Sequence, residues 1–179
     1  EFISHKDVVV IDTRDKYEVK IGTFKNSINP KINNFREFPS WWKKNRNTFH
    51  NKKIAMFCTG GIRCEKSTSL ALNNGFEEVY HLKGGIIDYL RLPKKSTSEW
   101  EGECFVFDQR VAITNFEKKG NYKLCFGCRR PISFDDTKHF HYEEGVSCNE
   151  CYDEHSPERK EGFRERQRQK ILEEKNVNK

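Results

Sequence analysis

Short, unbroken apolar runs alternate along the chain with stretches of helical periodicity. Residues 8–11 and 54–57 are continuous apolar runs, Val-Val-Val-Ile and Ile-Ala-Met-Phe. Such runs suit strands covered on both faces. Residues 78–82, Glu-Val-Tyr-His-Leu, read as another strand, and residues 27–29 as a shorter one. Between them, residues 65–72 tolerate a helix, with Gly75 where its C-terminal cap belongs, and residues 86–92 form a short helix stopped by Pro93. Phe35, Phe38, Trp41 and Trp42 sit among Lys43, Lys44 and Arg46 on an expected helix or helix pair. Such a stripe either packs on the domain's own sheet or stacks on bases, and packing is the preferred reading. Strands alternating with helices imply an α/β fold with a doubly wound parallel sheet.

Residues 54–66, Ile-Ala-Met-Phe-Cys-Thr-Gly-Gly-Ile-Arg-Cys-Glu-Lys, are the stretch on which chemistry is expected. They read as a buried strand, a tight glycine turn and the first turn of a helix. Cys58 ends the strand, where ligands bind in open α/β sheets. The N–H groups of Thr59, Gly60, Gly61, Ile62 and Arg63 are expected to converge on one atom. The helix N-terminus adds a partial positive charge and Arg63 a full one. A thiol in that setting becomes a thiolate, able to act as a nucleophile or to carry a persulfide. The plainer alternative is a buried strand cysteine beside a surface arginine. Cys64, in the first helical turn, is expected to be auxiliary, placed to resolve an oxidised Cys58. Asp12 and Arg14 either order this end of the sheet or form a solvated loop pair. His81 is read as structural, and Cys104 as core.

The six residues Cys58-Thr-Gly-Gly-Ile-Arg63 resemble the active-site loop of rhodaneses. Asp12-Thr-Arg14 with Glu18 and Gly22 resembles the motif that opens a rhodanese domain, and Gly84-Gly85-Ile86 its closing segment. Rhodaneses at large carry a His near position 23, where this chain has Thr23; that departure touches a structural residue of the motif and not the nucleophile. The longer string through Lys66, together with residues 102–108 and the later cysteine pairs, is similar to the TrhO (YceA-like) family of tRNA hydroxylases. That resemblance implies a rhodanese-like fold and 5-hydroxylation of the wobble uridine. It also implies Cys58 as the catalytic residue through a persulfide, tRNA as partner, and molecular oxygen as co-substrate. The alternatives are a sulfurtransferase fed by a small-molecule sulfur donor and a catalytically silent binding module. Phosphatases that resemble rhodaneses place five residues between cysteine and arginine, against four here, so phosphate-ester hydrolysis is disfavoured. Members of the TrhO family carry a further domain before the rhodanese part, whereas this chain begins a few residues before its first strand.

Composition adjusts this picture. With 179 residues the chain has room for one ordinary domain and an appendage. A net charge of +6 favours an anionic partner. The seven cysteines include Cys125-x-x-Cys128 and Cys148-x-x-Cys151, spaced as in a four-cysteine zinc site of structural type. Two redox pairs or free thiols are the alternative. A metal and a reactive thiol both point to a reducing cytoplasm. No apolar run is long enough to cross a bilayer, so no membrane partner is expected. The chain does not start with Met and reads as a processed product or a fragment. The expected organisation is a rhodanese-like domain over 1–93, a linker and docking segment over 94–120, a zinc unit over 121–155 and a charged helical tail over 156–179. Ser156 and Pro157 are the start signals of that last helix. Its alternating Arg and Glu form either a solvated face or a grip on an RNA backbone.

Overall fold

In the computed structural model, residues 2–92 and 98–177 are described. The chain divides into two compact units, Glu1–Gly120 and Asn121–Lys179.

The first unit is built on a parallel sheet of β1 (Val8–Asp12), β3 (Lys53–Phe57) and β4 (Val79–His81), in the order β1-β3-β4. Val10 lies opposite Ala55 and Ile11 opposite Met56, and Ala55 faces Tyr80 on the other side. Period-two alternation divides the side chains between two cores. Val10, Ala55 and Phe57 pack on one face with Ile86 and Leu90 of α4 (Gly85–Arg91) and with Phe24, Trp100 and Cys104. Ile11, Ile54, Met56 and Cys58 pack on the other with Phe38 and Trp42 of α2 (Phe38–Asn45) and Cys64 and Ala71 of α3 (Ile62–Asn73). Helices on both faces make the sheet doubly wound, which is why its two central strands, β1 and β3, are apolar along most of their length. The Phe38 and Trp42 rings stack over the sheet, so the aromatic stripe is core.

Four features of this unit differ from the expected pattern. The polar stretch after β1 contains a short helix, α1 (Lys16–Ile21), too brief for periodicity to reveal. Residues 27–29 make only a single parallel bridge, Ile11 to Ile28. His81 is exposed on β4. Residues 93–97, which take in Pro93 and the start of the linker expected over 94–120, lie outside the described residues, while 98–120 fold into the first unit. There β5 (Trp100–Gly102) pairs antiparallel with β2 (Gly22–Phe24), and β6 (Cys104–Phe105) pairs with β7 (Ala112–Ile113). Gly22 sits so close to the facing strand that a Cβ would meet the Glu101 carbonyl oxygen at 2.7 Å.

The second unit has little apolar interior. A hairpin of β8 (Lys123–Leu124) and β9 (Pro131–Ile132) and the turns around Cys148 and Cys151 surround a core of three buried cysteines and Ile132, with Cys128 packed against it. Helix α5 (Pro157–Val177) belongs to this unit; Ser156 Oγ accepts from the Arg159 N–H at 3.3 Å, as an N-cap should. Arg164 of α5 binds the Glu143 carboxylate through two nitrogens, each at 2.7 Å. No helix among the described residues is long and apolar enough to cross a membrane.

Candidate active site and metal centre

Cys58 follows the last residue of β3 and is 2% exposed. The turn after it ends at Gly61, whose φ of 97° lies in the left-handed region and starts α3. This brings the Gly61 N–H to 3.1 Å from the Cys58 sulfur. The Cys64 N–H, at the third helical position, also favours the anion of that sulfur.

The convergence of N–H groups is narrower than expected, and its strongest donor is a side chain. The Cys64 thiol donates to Cys58 and is the largest influence holding the Cys58 pKa down to about 5, against the opposing effect of burial. The Cys64 N–H, the Arg63 charge and the Gly61 N–H add to it. In return Cys64 is pushed far up by its bond to Cys58 and by burial, so the pair holds one proton, on Cys64. Thr13 Oγ1 lies 3.8 Å from the Cys64 sulfur and donates to the Phe57 carbonyl at 3.0 Å, tying the pair to β1 and β3.

Arg63 acts on Cys58 by its charge while its guanidinium is held from the other side. Its guanidinium is clamped by Glu18, at 2.5 Å and 2.7 Å, and Glu18 is fully buried. Glu18 also accepts from Thr59 Oγ1 at 3.3 Å and from the Asp15 N–H at 3.0 Å. Near this pair, Asp15 is raised to about 6 by burial and by the Glu18 charge. The role of Glu18 was not evident from sequence, because its partner lies 45 residues away. Only its place in the opening motif marked it.

The other motif residues hold the loop in place. Asp12 and Arg14 are fully buried and ion-paired at 2.7 Å, which excludes a solvated loop pair. Arg14 donates to the Gly22 carbonyl and lies under Trp100 of β5, 5.4 Å from the ring centre. Thr23 donates to Asp12 at 2.7 Å. On the other side, Ile86 and Ile87 donate their N–H groups to the Cys58 and Thr59 carbonyls at 3.0 Å and 3.1 Å. Gly85, with φ of 66°, permits this approach; a Cβ there would meet the Cys58 carbonyl oxygen at 2.7 Å and overlap that of Thr59. With the carbonyls of Cys58 and Thr59 drawn toward α4, the Gly61 amide faces the sulfur. Gly60 and Ile62 form the exposed rim of the loop. Cys104 is buried and pushed up to about 12, chiefly by burial, so its thiol is inert at neutral pH.

In the second unit the sulfurs of Cys125, Cys128, Cys148 and Cys151 all lie within 4.8 Å of one another. Cys125–Cys151 and Cys128–Cys148 are 3.8 Å apart, and Cys148–Cys151 3.7 Å. A tetrahedron of sulfurs around zinc has edges of about 3.8 Å, given a Zn–S length of about 2.3 Å. The cluster therefore has the donors and the size to hold one metal ion.

A parallel α/β sheet with an acidic and basic pair at its carboxyl end, and a six-residue cysteine loop running into a helix, defines a class of domain. Residues 1–91 match the rhodanese-like domain family, and the chain belongs to that family. Two curated relatives are similar over nearly all of the chain. A protein of Roseobacter denitrificans named tRNA uridine(34) hydroxylase is 56% identical over 167 residues, 93% of this chain. A protein of the same name from Ruegeria pomeroyi is 55% identical over 96% of this chain. The chain spans 56% and 57% of the length of these two relatives.

Proposed function

We propose that this chain is the cysteine-bearing part of an enzyme that 5-hydroxylates the wobble uridine, position 34, of tRNA in the cytoplasm. The observation that carries this reading is the Cys58 sulfur, set in a hydrogen-bonded loop within a sequence 55–56% identical to proteins named for that reaction. In this reading tRNA is the substrate and molecular oxygen supplies the oxidising equivalents. Cys58 is the catalytic residue, Thr59 to Arg63 form its loop, and Cys64 stores the proton that Cys58 gives up.

The low pKa of Cys58 suits persulfide formation from a small-molecule sulfur donor such as thiosulfate. The thiolate attacks the outer sulfur of thiosulfate and a Cys58 S–S bond forms. The donor's own S–S bond breaks, with its electron pair leaving on sulfite. The terminal sulfur remains as an anion, for which the donors around the loop are suited. Cys125, Cys128, Cys148 and Cys151 hold a structural Zn²⁺, and no step of the reaction passes through it. The domains follow the units: a rhodanese-like body with its docking segment up to residue 120, then the zinc unit, whose charged helix is part of it.

The test is mass spectrometry of tRNA from cells lacking the full-length gene, complemented by wild type or by Cys58→Ser. Loss of 5-hydroxyuridine at position 34, restored by wild type alone, is expected. Unchanged tRNA in the deletion strain overturns the reading. Persulfide transfer from thiosulfate through Cys58, with tRNA unchanged, favours the sulfurtransferase instead.

A further inference from the structure

The second unit exposes rings that neither the loop nor the metal cluster explains. Phe140 is the most exposed large apolar side chain of the described residues, at 84%. It is one end of a stack. The Phe140 and His141 rings are 3.8 Å apart, and His141 lies nearly parallel to Tyr152 at 4.1 Å, with an angle of 11°. His139 packs beside the pair, its ring 5.0 Å from that of Phe140 and 5.2 Å from that of His141. Lys160 of α5 closes the far end, its ammonium 3.5 Å from the centre of the Tyr152 ring.

The stack is anchored at both ends to fixed backbone. Tyr142 donates its N–H to the His139 carbonyl in a turn, and Ser147 Oγ donates to the His141 carbonyl at 2.8 Å. Tyr152 directly follows Cys151, and Asn149, between Cys148 and Cys151, contacts His141 Nδ1 at 3.2 Å. The cysteine cluster thus fixes the platform on which Phe140 projects.

We infer that this ring stack is a platform for unpaired bases of a single-stranded RNA segment, with Phe140 supplying the exposed face and Lys160 a phosphate contact. This deepens the proposed function and rests on its reading that RNA is the partner. Base–aromatic stacking is tolerant of sequence, and such platforms combine rings with nearby cations. The same pairing recurs across the unit: Lys138 lies 4.5 Å from the centre of the exposed Phe134 ring, and Lys170 lies 5.0 Å from that of Phe126. A protein-docking patch is built otherwise, with lysine depleted at its core. Residues 121–179 carry as many Asp and Glu as Lys and Arg, so the net charge of +6 belongs to residues 1–120. Binding by the second unit must therefore come from stacking more than from a broad electrostatic field, and it should depend only weakly on salt.

The test is fluorescence anisotropy of the full metal-loaded chain with a labelled single-stranded RNA of about ten nucleotides. A duplex of the same sequence is the control. Phe140→Ala is expected to weaken single-strand binding about tenfold, while Phe140→Trp keeps it. Duplex should bind more weakly than single strand. Metal content and thermal midpoint of Phe140→Ala should equal wild type, because the ring is exposed. Wild-type affinity in Phe140→Ala, equal affinity for duplex, or no RNA binding by wild type would overturn the platform. Capture of a protein through Phe140 by a chain that binds no RNA would reassign the surface to protein docking. The outcomes separate from those of the tRNA assay. A Cys58-dependent modification with RNA binding insensitive to Phe140 sinks the platform alone. Phe140-dependent RNA binding with unchanged cellular tRNA sinks the enzymatic reading alone.

Discussion

Each unit of this protein gathers cysteines into a small buried space, and the two put them to opposite ends. In the first unit Cys58 and Cys64 sit between a sheet and a helix that would hold their shape without them, because Ile11, Ile54, Met56, Phe38 and Trp42 supply the interior. There hydrogen bonds divide the protons unequally, so one sulfur is an anion and the other its donor. In the second unit the interior is four cysteines with Ile132 beside them. Those sulfurs are the core, and a shared metal is what makes such a core stable. A cysteine becomes reactive where the fold is secured by other groups and becomes structural where it is not.

Metal removal should give the largest effect and would break this contrast if it failed. Structural zinc contributes about 10 kcal/mol or more to folding of small zinc domains. Chelation is expected to unfold residues 121–179 and leave 1–120 folded, as read by amide hydrogen exchange along the chain. Simultaneous loss of protection in β1 and β3 would mean that the first unit also depends on metal.

Next in size is the Glu18 clamp. Glu18→Gln leaves the mostly buried Arg63 without its counter-charge and is expected to cost about 3 kcal/mol in urea unfolding of the first unit. A cost within error of zero would show that Arg63 swings free to solvent and that the clamp is dispensable.

The proton division comes third. Labelling of Cys58 against pH is expected to reach half its maximal rate near pH 5, the value at which its folded-state thiol titrates. A hydrogen bond to a charged group contributes about 1.5–3 kcal/mol. Cys64→Ala should therefore move that midpoint up by about one to two pH units, and Cys64→Ser by less. The sign for stability follows from linkage. Cys58 is lowered on folding, so it contributes stability that is full above the unfolded thiol value of 9.0 and is lost as pH falls through about 5. A midpoint unmoved in Cys64→Ala would return the leading role to Arg63 and the backbone.

The smallest effect lies on the surface of the second unit. Arg130 and Glu154 pair at 2.8 Å, with both side chains partly exposed. Glu154→Ala is expected to change thermal stability by about 0–1 kcal/mol in the metal-loaded protein. A much larger loss would mean that ion pairs, and not the cysteine cluster, hold this unit together.

What could be read from the sequence was whatever repeats or is spaced locally. The apolar runs at 8–11 and 54–57 marked the two central strands, because a strand buried on both faces has no polar alternation to lose. The four-residue interval between Cys58 and Arg63 marked the loop, and the two Cys-x-x-Cys pairs marked the metal centre, since each motif is set by short-range geometry. The tertiary structure decided which groups meet across the chain. It paired Glu18 with Arg63, set Thr13 beside Cys64, and brought residues 100–102, from within the expected linker, back to β2. It also paired Arg63, whose charge still favours the Cys58 anion, with the buried Glu18 carboxylate. Such contacts join residues tens of positions apart, and burial decides how strongly a charge acts on each of its neighbours. No local spacing encodes that choice, because it depends on which surfaces the folded chain removes from water.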